Sequence, residues 1–518
     1  MNFSNRSLRQ SGFDKAGRDR AAFSVLGASS SAGVRPALNG PSRSRKVQGS
    51  SPDQRRKALG AFSVTILSLL IWGPPRLRLE SRSSAAALSS PTDQDAAALF
   101  QIAVVLMAAA LAFSIFVVLK KNGLTKIRYL LKGPLVWYAL FSLSAVLSVV
   151  YSVSKVYTAY FALKLFAAWA LPVLIIAYYG ESALSVAMSC VRWVFFSQML
   201  AILLFGIIKP DLAGIDIPGV GYRLTGGTLE DYGLSGAISL IFVLGSLCSP
   251  LSKGRRSLLV VMLLPCLIYL YASRSRSVLA AAVIVVAITL LISLGRKFMA
   301  VAGVLVVVGA VLVVAALIAF SPDKLMQATT EYVTRGQSEK ELLTGSGRTK
   351  AFSFLVDVWK EDPYLGDGYG AGTRAALQAF EAKTHLNIGS GHDVLSRTLV
   401  DLGIVGAILI AVLYISSIIL VRRAVLMRKL KLSAELRLNL AVAAALVVMA
   451  LMKGDASAGV SDPEPFFSIA LAVLTLSTFR NRRIFSGGAR FRPRKTSGES
   501  AHVLPTPPQL VGSSVDWA

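Results

Sequence analysis

The stretch "LFQIAVVLMAAALAFSIFVVL", residues 99–119, contains no charged residue. A run of roughly 20 apolar residues is long enough to cross the hydrocarbon core of a membrane as a helix. Backbone N–H and C=O groups do not stay unpaired in lipid, so a run of this kind has to be helical. Residues 298–320, "FMAVAGVLVVVGAVLVVAALIAF", form a second such run. The sequence therefore predicts an all-α, polytopic integral membrane protein.

The composition of the whole chain supports this class. Hydrophobic residues make up 54% of the chain and charged residues only 16%, whereas soluble domains carry roughly a quarter charged residues. A net charge of +27 would suggest nucleic acid in a soluble protein. Here the basic residues cluster at the ends of apolar runs, which is typical of orientation signals and of contact with anionic lipid headgroups. We therefore expect membrane lipids as partners and no nucleic acid.

About twelve membrane spans are predicted. They lie at residues 58–73, 96–119, 133–152, 156–179, 186–208, 233–250, 257–272, 277–294, 298–320, 404–421, 437–453 and 465–479. Residues 58–320 thus hold spans one to nine, and residues 404–480 hold spans ten to twelve. Residues 1–57 are rich in Ser, Gly, Arg and Lys and predict a disordered basic tail. Residues 481–518 form a C-terminal tail.

The distribution of Lys and Arg predicts the orientation. Basic residues follow the second, sixth, eighth, tenth and twelfth spans, which all fall on one side when twelve spans alternate. The positive-inside rule makes that side cytoplasmic. Both tails are then cytoplasmic, and the long hydrophilic stretch 321–403 is external.

The external loop 321–403 is predicted to contain short helices. Apolar residues recur at a helical spacing in residues 348–360, and Pro363 follows. Residues 392–403 predict another helix that runs into the tenth span. Between them, "YLGDGYGAG" (364–372) resembles a nucleotide loop, but no strand precedes it and it lies outside the cell. We interpret it as a bend that lets the backbone approach a partner closely.

Arginines on the external side are unexpected under the positive-inside rule. An external enzyme has no access to ATP or nucleotide sugars, so its energised substrate has to reside in the membrane, and a lipid diphosphate is the obvious class. Guanidinium groups hold phosphate oxygens through paired donors. The alternative is simple snorkelling or solvation at the interface. Four external arginines are candidate diphosphate ligands: Arg223, Arg274, Arg276 and Arg348.

His392 is the candidate catalytic residue, because the unperturbed pKa of histidine suits a general base near neutral pH. Asp393 or Asp401 would orient it, as would a backbone carbonyl; a loop histidine without a role is the alternative. His385 lies close enough in sequence to share a metal with it, but the spacing fits no standard ligand pattern. Lys164 lies inside a span, where charged residues are expensive and often functional, and it is predicted to line a cavity open to the outside.

These residues together resemble the O-antigen ligase and polysaccharide polymerase family of bacterial membranes. The resemblance lies in "GRTKAFSFLVDVWKEDPYLGDGYGAG" followed by "GHDVLSRTLVDLGIVG", and in "YRLTGG" and "SRSRS". The family shows an arginine that opens a loop helix, a tryptophan, Pro-x-x-Gly-x-Gly, a histidine and Gly-x-x-Gly before a span. The matching positions here are Arg348, Trp359, Pro363, Gly366, Gly368, His392, Gly403 and Gly406. This chain departs from the pattern at Asp393 and Tyr232, where the family often has Asn.

The resemblance implies a membrane glycosyltransferase. In this family a glycan moves from undecaprenyl diphosphate to a sugar hydroxyl at the outer face of the bacterial inner membrane, without a nucleotide donor, a cofactor or a metal ion. Ligases use the lipid A core as acceptor and polymerases use another lipid-linked repeat unit, and the sequence leaves both open. The competing hypothesis is a transporter or flippase for a lipid-linked or anionic solute. Transporters often show internal repeats, and no repeat is evident between the two halves.

Overall fold

The computed structural model describes residues 52–72, 96–122, 127, 130–217, 221–224, 233–249, 252–294, 348–384, 394–427, 432–453 and 465–487. By its contacts the chain divides between Arg55 and Arg56, and everything that follows concerns the unit that begins at Arg56. Within the described ranges the chain is almost entirely helical, so the predicted all-α class is confirmed.

The elements follow one another in this order along the described ranges: α1 (Pro52–Trp72), α2 (Ala96–Asn122), α3 (Pro134–Leu147) with a 3₁₀ turn (Ser148–Val150), α4 (Lys155–Tyr179), α5 (Glu181–Ile208), α6 (Pro210–Ala213), β1 (Gly214–Ile217), β2 (Gly221–Leu224), α7 (Leu234–Leu247), α8 (Lys253–Ala272), α9 (Arg276–Leu294), α10 (Arg348–Trp359), α11 (Ala371–Thr384), α12 (Val394–Met427), α13 (Ala434–Lys453) and α14 (Pro465–Gly487).

Seven helices of the described part are long and apolar enough to cross a membrane: α2, α4, α5, α8, α9, α12 and α13. Shorter apolar helices coincide with the first, third, sixth and twelfth predicted spans. The predicted ninth span, 298–320, lies outside the described residues. Helix α1 begins at Pro52, whereas the sequence predicted a span from residue 58.

Helix α4 is the most buried of the seven long helices. It packs against α2, α3 and α14, and the indole Nε1 of Trp169 donates to the Leu135 carbonyl of α3 over 3.1 Å. Small residues line the other tightly packed region, where α13 contacts α9 and α14. Ala443, Ala444 and Ala445 of α13 are fully buried. Small side chains let helix backbones approach closely, which is the main source of packing energy between membrane helices.

A two-stranded hairpin is the exception to the helical fold. β1 and β2 pair antiparallel, with Gly214 opposite Leu224 and Ile217 opposite Gly221. The hydroxyl of Tyr222 donates to the Pro210 carbonyl over 2.9 Å. Four-residue strands bounded by glycine give no detectable alternating pattern, which explains why the sequence did not reveal them.

Helix α12 is broken near its start. Gly403 has φ 61° and ψ −159°, which is not a helical conformation. The break separates a short helix, residues 394–402, from the apolar part of α12 that follows it. The described part of the helix predicted at residues 392–403 is helical from Val394, and the break lies one residue before the predicted start of the tenth span.

Candidate active site

The break in α12 frees backbone groups that a continuous helix would pair internally. The segment Pro363–Gly370, called the glycine segment below, pairs with them instead. Three backbone hydrogen bonds, each 2.9 Å long, make this junction: Asp367 N to Val400 O, Gly368 N to Asp401 O, and Ile404 N to Pro363 O. The glycine segment is thus a bend that brings one backbone against another, as the sequence indicated.

Two glycines make the close approach feasible. Gly366 has φ 68° and Gly403 has φ 61°, a region that side chains rarely allow. A Cβ atom at Gly366 would collide with the Val400 carbonyl oxygen, and one at Gly403 would collide with the Tyr364 carbonyl. Both positions therefore require glycine for steric reasons.

Asp401 caps the neighbouring helix α11. The backbone N–H of Thr373, in the first turn of α11, donates to Oδ1 of Asp401 over 2.7 Å. The hydroxyl of Thr373 donates to the Arg397 carbonyl over 3.2 Å. All three residues are buried. A carboxylate at a helix N-terminus satisfies an orphan N–H and opposes the positive end of the helix dipole, so Asp401 fixes α11 against residues 394–402.

The opposite side of the glycine segment is bound to the junction between α3 and α4. The N–H of Tyr369 donates to Oγ of Ser148 over 3.0 Å. The N–H of Val153 donates to the Asp367 carbonyl, also over 3.0 Å. The glycine segment therefore lies between the membrane bundle and the helix that follows His392 in the sequence.

Tyr369 extends this contact into the bundle. Its ring meets Phe141 edge to face, with centroids 6.1 Å apart. Burial raises the pKa of the Tyr369 phenol well above its ordinary value, so the hydroxyl stays protonated at neutral pH. The side chain serves packing and does not supply a negative charge.

Asp367 carries the other perturbed ionisable group of the glycine segment. Burial raises the pKa of this carboxyl above its ordinary value, and the nearby negative charges of Asp362 and Glu361 add to the effect. The charged form of Asp367 is therefore disfavoured in the folded protein.

Arg374 of α11 contacts the N-terminal end of α4. Its Nη1 donates to the hydroxyl of Tyr157 over 3.0 Å, and its guanidinium lies 5.4 Å from the centre of the same ring. Both side chains are half-buried. The sequence pattern did not single out Arg374, although this residue lies in the same hydrophilic stretch, 321–403, as Arg348, which was singled out.

Lys164, which the sequence singled out, is buried inside α4 at 5% exposure. It follows Tyr157 by two helical turns and lies on the same face of α4. A cavity beside it stays a prediction.

Arg223 lies in β2, opposite Ile215 of β1. The strand is held by its neighbour Leu224, which is buried and lies so close to Gly206 of α5 that a Cβ there would approach it to 2.9 Å. β2 also contacts α8, whose far end leads into the turn that carries two more of the predicted arginines.

That turn, Ser273–Arg276, joins α8 to α9. Ser273 and Ser275 are buried, and the N–H of Ser275 approaches Oγ of Ser273 at 3.4 Å. Arg274 between them adopts φ 47°, and Arg276 is the first residue of α9. Gly233, at the start of α7, lies against Ser273. The structure thus places Arg223, Arg274 and Arg276 on neighbouring elements.

Arg348 is the first residue of α10, as predicted. α10 packs on α11 and α12 through the buried residues Leu355, Ala376, Leu377 and Val400. His392 and Asp393 lie outside the described residues, directly before Val394, where α12 begins. Their proposed roles remain predictions.

Within the described ranges, no group of three or more His, Cys, Asp or Glu residues has the arrangement of a metal site. The three cysteines are free, and Cys190 and Cys266 are buried. Their surroundings agree with the packing role that their apolar segments suggested.

Comparison with known proteins gives one match. Residues 258–411 match the family model described as O-antigen ligase. The matched region includes the Ser273–Arg276 turn, Arg348, the glycine segment, His392 and the break at Gly403. No curated protein matches the chain.

Proposed function

Residues 258–411 match the O-antigen ligase family model, and we propose from this match that the chain is a member of the O-antigen ligase/polymerase family and transfers a glycan from undecaprenyl diphosphate to a sugar hydroxyl at the external face of the bacterial inner membrane. The single observation that carries the proposal is the family match over residues 258–411. Several membrane-length helices within and around this region support a substrate that resides in the bilayer.

In the proposed reaction, the acceptor hydroxyl attacks the anomeric carbon of the lipid-linked sugar. His392 accepts the proton of that hydroxyl as the new C–O bond forms and the bond to the diphosphate breaks. A single displacement inverts the anomeric configuration. No cofactor or metal ion takes part in this scheme.

Arg223, Arg274 and Arg276 bind the diphosphate and stabilise the negative charge that develops as it leaves. Preorganised cations aimed at developing charge commonly contribute several kcal/mol in a partly dry site. The proximity of β2 to α8, and of Gly233 to Ser273, supports the assignment of these three arginines to one site. Arg348, on the helix packed beside residues 394–402, has the same role or fixes the loop.

Two acceptors fit this chemistry. A ligase transfers the glycan to the lipid A core, and a polymerase transfers it to a second lipid-linked repeat unit. The product decides between them: a ladder of lengthening glycans identifies a polymerase, and a glycan on lipid A identifies a ligase.

The test uses the purified full chain with a lipid-linked repeat unit and each acceptor in turn. His392→Ala should abolish most of the transfer, since general base catalysis contributes about 10²- to 10⁴-fold. Lys360→Gln is a matched control on the same loop, because its only described ion pair, with Asp357, is exposed. Transfer at the parent rate by His392→Ala would eliminate histidine catalysis.

The external location is tested separately by cysteine labelling in intact cells. Lys383→Cys, on α11, should react with a membrane-impermeant maleimide. Arg255→Cys, at the start of α8, should react only after the membrane is opened. The reverse pattern would place the loop in the cytoplasm and rule out the proposed reaction.

A further inference from the structure

The contact between Arg374 and Tyr157 is part of neither the predicted arginine set nor the region of His392. It joins α11 of the external loop to the N-terminal end of α4 by a hydrogen bond of 3.0 Å and a cation–π contact of 5.4 Å. A charged hydrogen bond and a ring contact from one guanidinium to one tyrosine define both distance and orientation. This pair therefore fixes α11 relative to the bundle.

Tyr157 packs against other aromatic rings of its own helix. Its ring packs against Phe161 with centroids 4.6 Å apart, and Phe161 packs edge to face against Tyr160 at 5.1 Å. The three rings belong to α4, the most buried of the long membrane helices. Arg374 is thus attached to an element that packing fixes on several sides.

Arg374 is connected to the helix that begins next to His392 through its neighbour Thr373 and one hydrogen bond. Arg374 directly follows Thr373, whose N–H binds the Asp401 carboxylate. Asp401 lies on the same external helix as Val394, the first residue of α12 after the predicted catalytic histidine. Movement of α11 away from α4 would therefore shift the capping contact and, with it, the start of α12.

We propose that Arg374 is a positioning residue for glycan transfer, which acts through its bond to Tyr157 by holding α11 and the external helix 394–402 in register with α4. The inference rests on the proposed function. In this role Arg374 acts through Tyr157 and α11, and not on the substrate or the reacting atoms. It sets the place of the loop helix that directly follows His392.

The kinetic test compares Arg374→Gln, Arg374→Lys and Tyr157→Phe in the full chain, with an undecaprenyl-diphosphate-linked repeat unit as donor. Misplacing a catalytic group by about 1 Å costs up to about 100-fold in rate. We expect Arg374→Gln to lower kcat about 10- to 100-fold, with KM for the donor within about twofold of the parent. Arg374→Lys keeps the charge and should recover part of kcat. Tyr157→Phe keeps the ring but loses the hydroxyl, so its kcat should lie between those of Arg374→Gln and Arg374→Lys.

An activity-independent readout separates positioning from a general loss of fold. Spin labels at Val156→Cys on α4 and Lys383→Cys on α11, both exposed positions, report the α4–α11 distance in a background with Cys190, Cys248 and Cys266 replaced. The parent should give one narrow distance distribution. Arg374→Gln should broaden or shift it, while the protein still unfolds in a single cooperative thermal transition. Lys360→Gln should leave both kcat and the distance distribution as in the parent.

The outcomes distinguish this inference from the proposed function. A parent protein that transfers no glycan contradicts the proposed function. A parent that is active, together with an Arg374→Gln variant that keeps the parent kcat or the parent distance distribution, overturns the positioning role of Arg374. A rise in donor KM with unchanged kcat also overturns it, because that pattern identifies a substrate-binding residue.

Discussion

The backbone N–H of Thr373 lies 2.7 Å from Oδ1 of Asp401, and both residues are buried. This bond joins α11 to residues 394–402 of α12, beside the point where α12 breaks. The carboxylate thus has a structural role at the N-terminus of α11.

Removal of this cap should destabilise the protein. Asp401→Ala leaves a buried N–H without its acceptor, which costs about 1–3 kcal/mol, and should lower the thermal midpoint of the purified protein. Asp401→Asn keeps an acceptor oxygen and should lose less. Asp357→Ala, on the exposed side of α10, is the control and should change the free energy of unfolding by no more than about 0.5 kcal/mol. Equal stability of the Asp401→Ala and parent proteins would contradict the capping role.

The glycines at the break should not tolerate a side chain. Gly366→Ala and Gly403→Ala each drive a Cβ into a carbonyl group at a positive φ, and each should cost more than about 1 kcal/mol. Gly254→Ala is the matched control: it lies in the first turn of α8 with nothing within 4 Å of the added Cβ, so the alanine variant should be at least as stable as the parent. Thermal unfolding of the three variants measures the contrast, and similar midpoints in all of them would refute the steric explanation.

The raised pKa of Asp367 predicts a dependence of stability on pH. The pKa of the Asp367 carboxyl is higher in the folded protein than in the unfolded chain. The folded protein therefore binds this proton more tightly, and the charged carboxylate destabilises the fold at neutral pH. Stability contributed by protonation is present at low pH and is lost as the pH rises through the folded pKa. Asp367→Asn should therefore be more stable than the parent at pH 7, and the difference should shrink on acidification. Thermal midpoints of both proteins measured across acidic to neutral pH test this; a constant difference would count against it.

Arginine geometry should matter at the Ser273–Arg276 turn. Arg276→Lys keeps the charge but loses the planar fork that pairs with phosphate oxygens, and should lower kcat/KM for the donor by about tenfold or more. Arg256→Lys, an exposed position near the start of α8, is the control and should transfer at the parent rate. If Arg276→Lys were as active as the parent, paired contacts between this arginine and the diphosphate would be ruled out.

Much of the fold follows from the sequence because lipid imposes a simple rule. Long apolar runs such as residues 99–119 can only be helices in a membrane, and the helical spacing of apolar residues in 348–360 indicated α10. Helix α11 was missed: Gly372 lies in its first turn, and much of its buried face consists of small residues that weaken the apolar signal.

The hydrogen bonds that join α11 to α12 and to α4 could not be predicted from the sequence. The bond from Thr373 to Asp401 joins residues 28 positions apart, and that from Arg374 to Tyr157 joins residues 217 positions apart. No local pattern encodes contacts of this kind, because they depend on how separately formed helices meet. The residue types were visible in the sequence, but their partners were not.

Arg274 occupies a backbone conformation, φ 47°, that glycine adopts without penalty and other residues adopt at a cost of order 1 kcal/mol or more. A glycine there would relax the main chain and remove the cation. At this turn the requirements of stability and of charge are therefore opposed. The arginine strains the backbone, and it places a positive side chain where α8 meets α9. Stability and charge at position 274 cannot both be optimised by one residue.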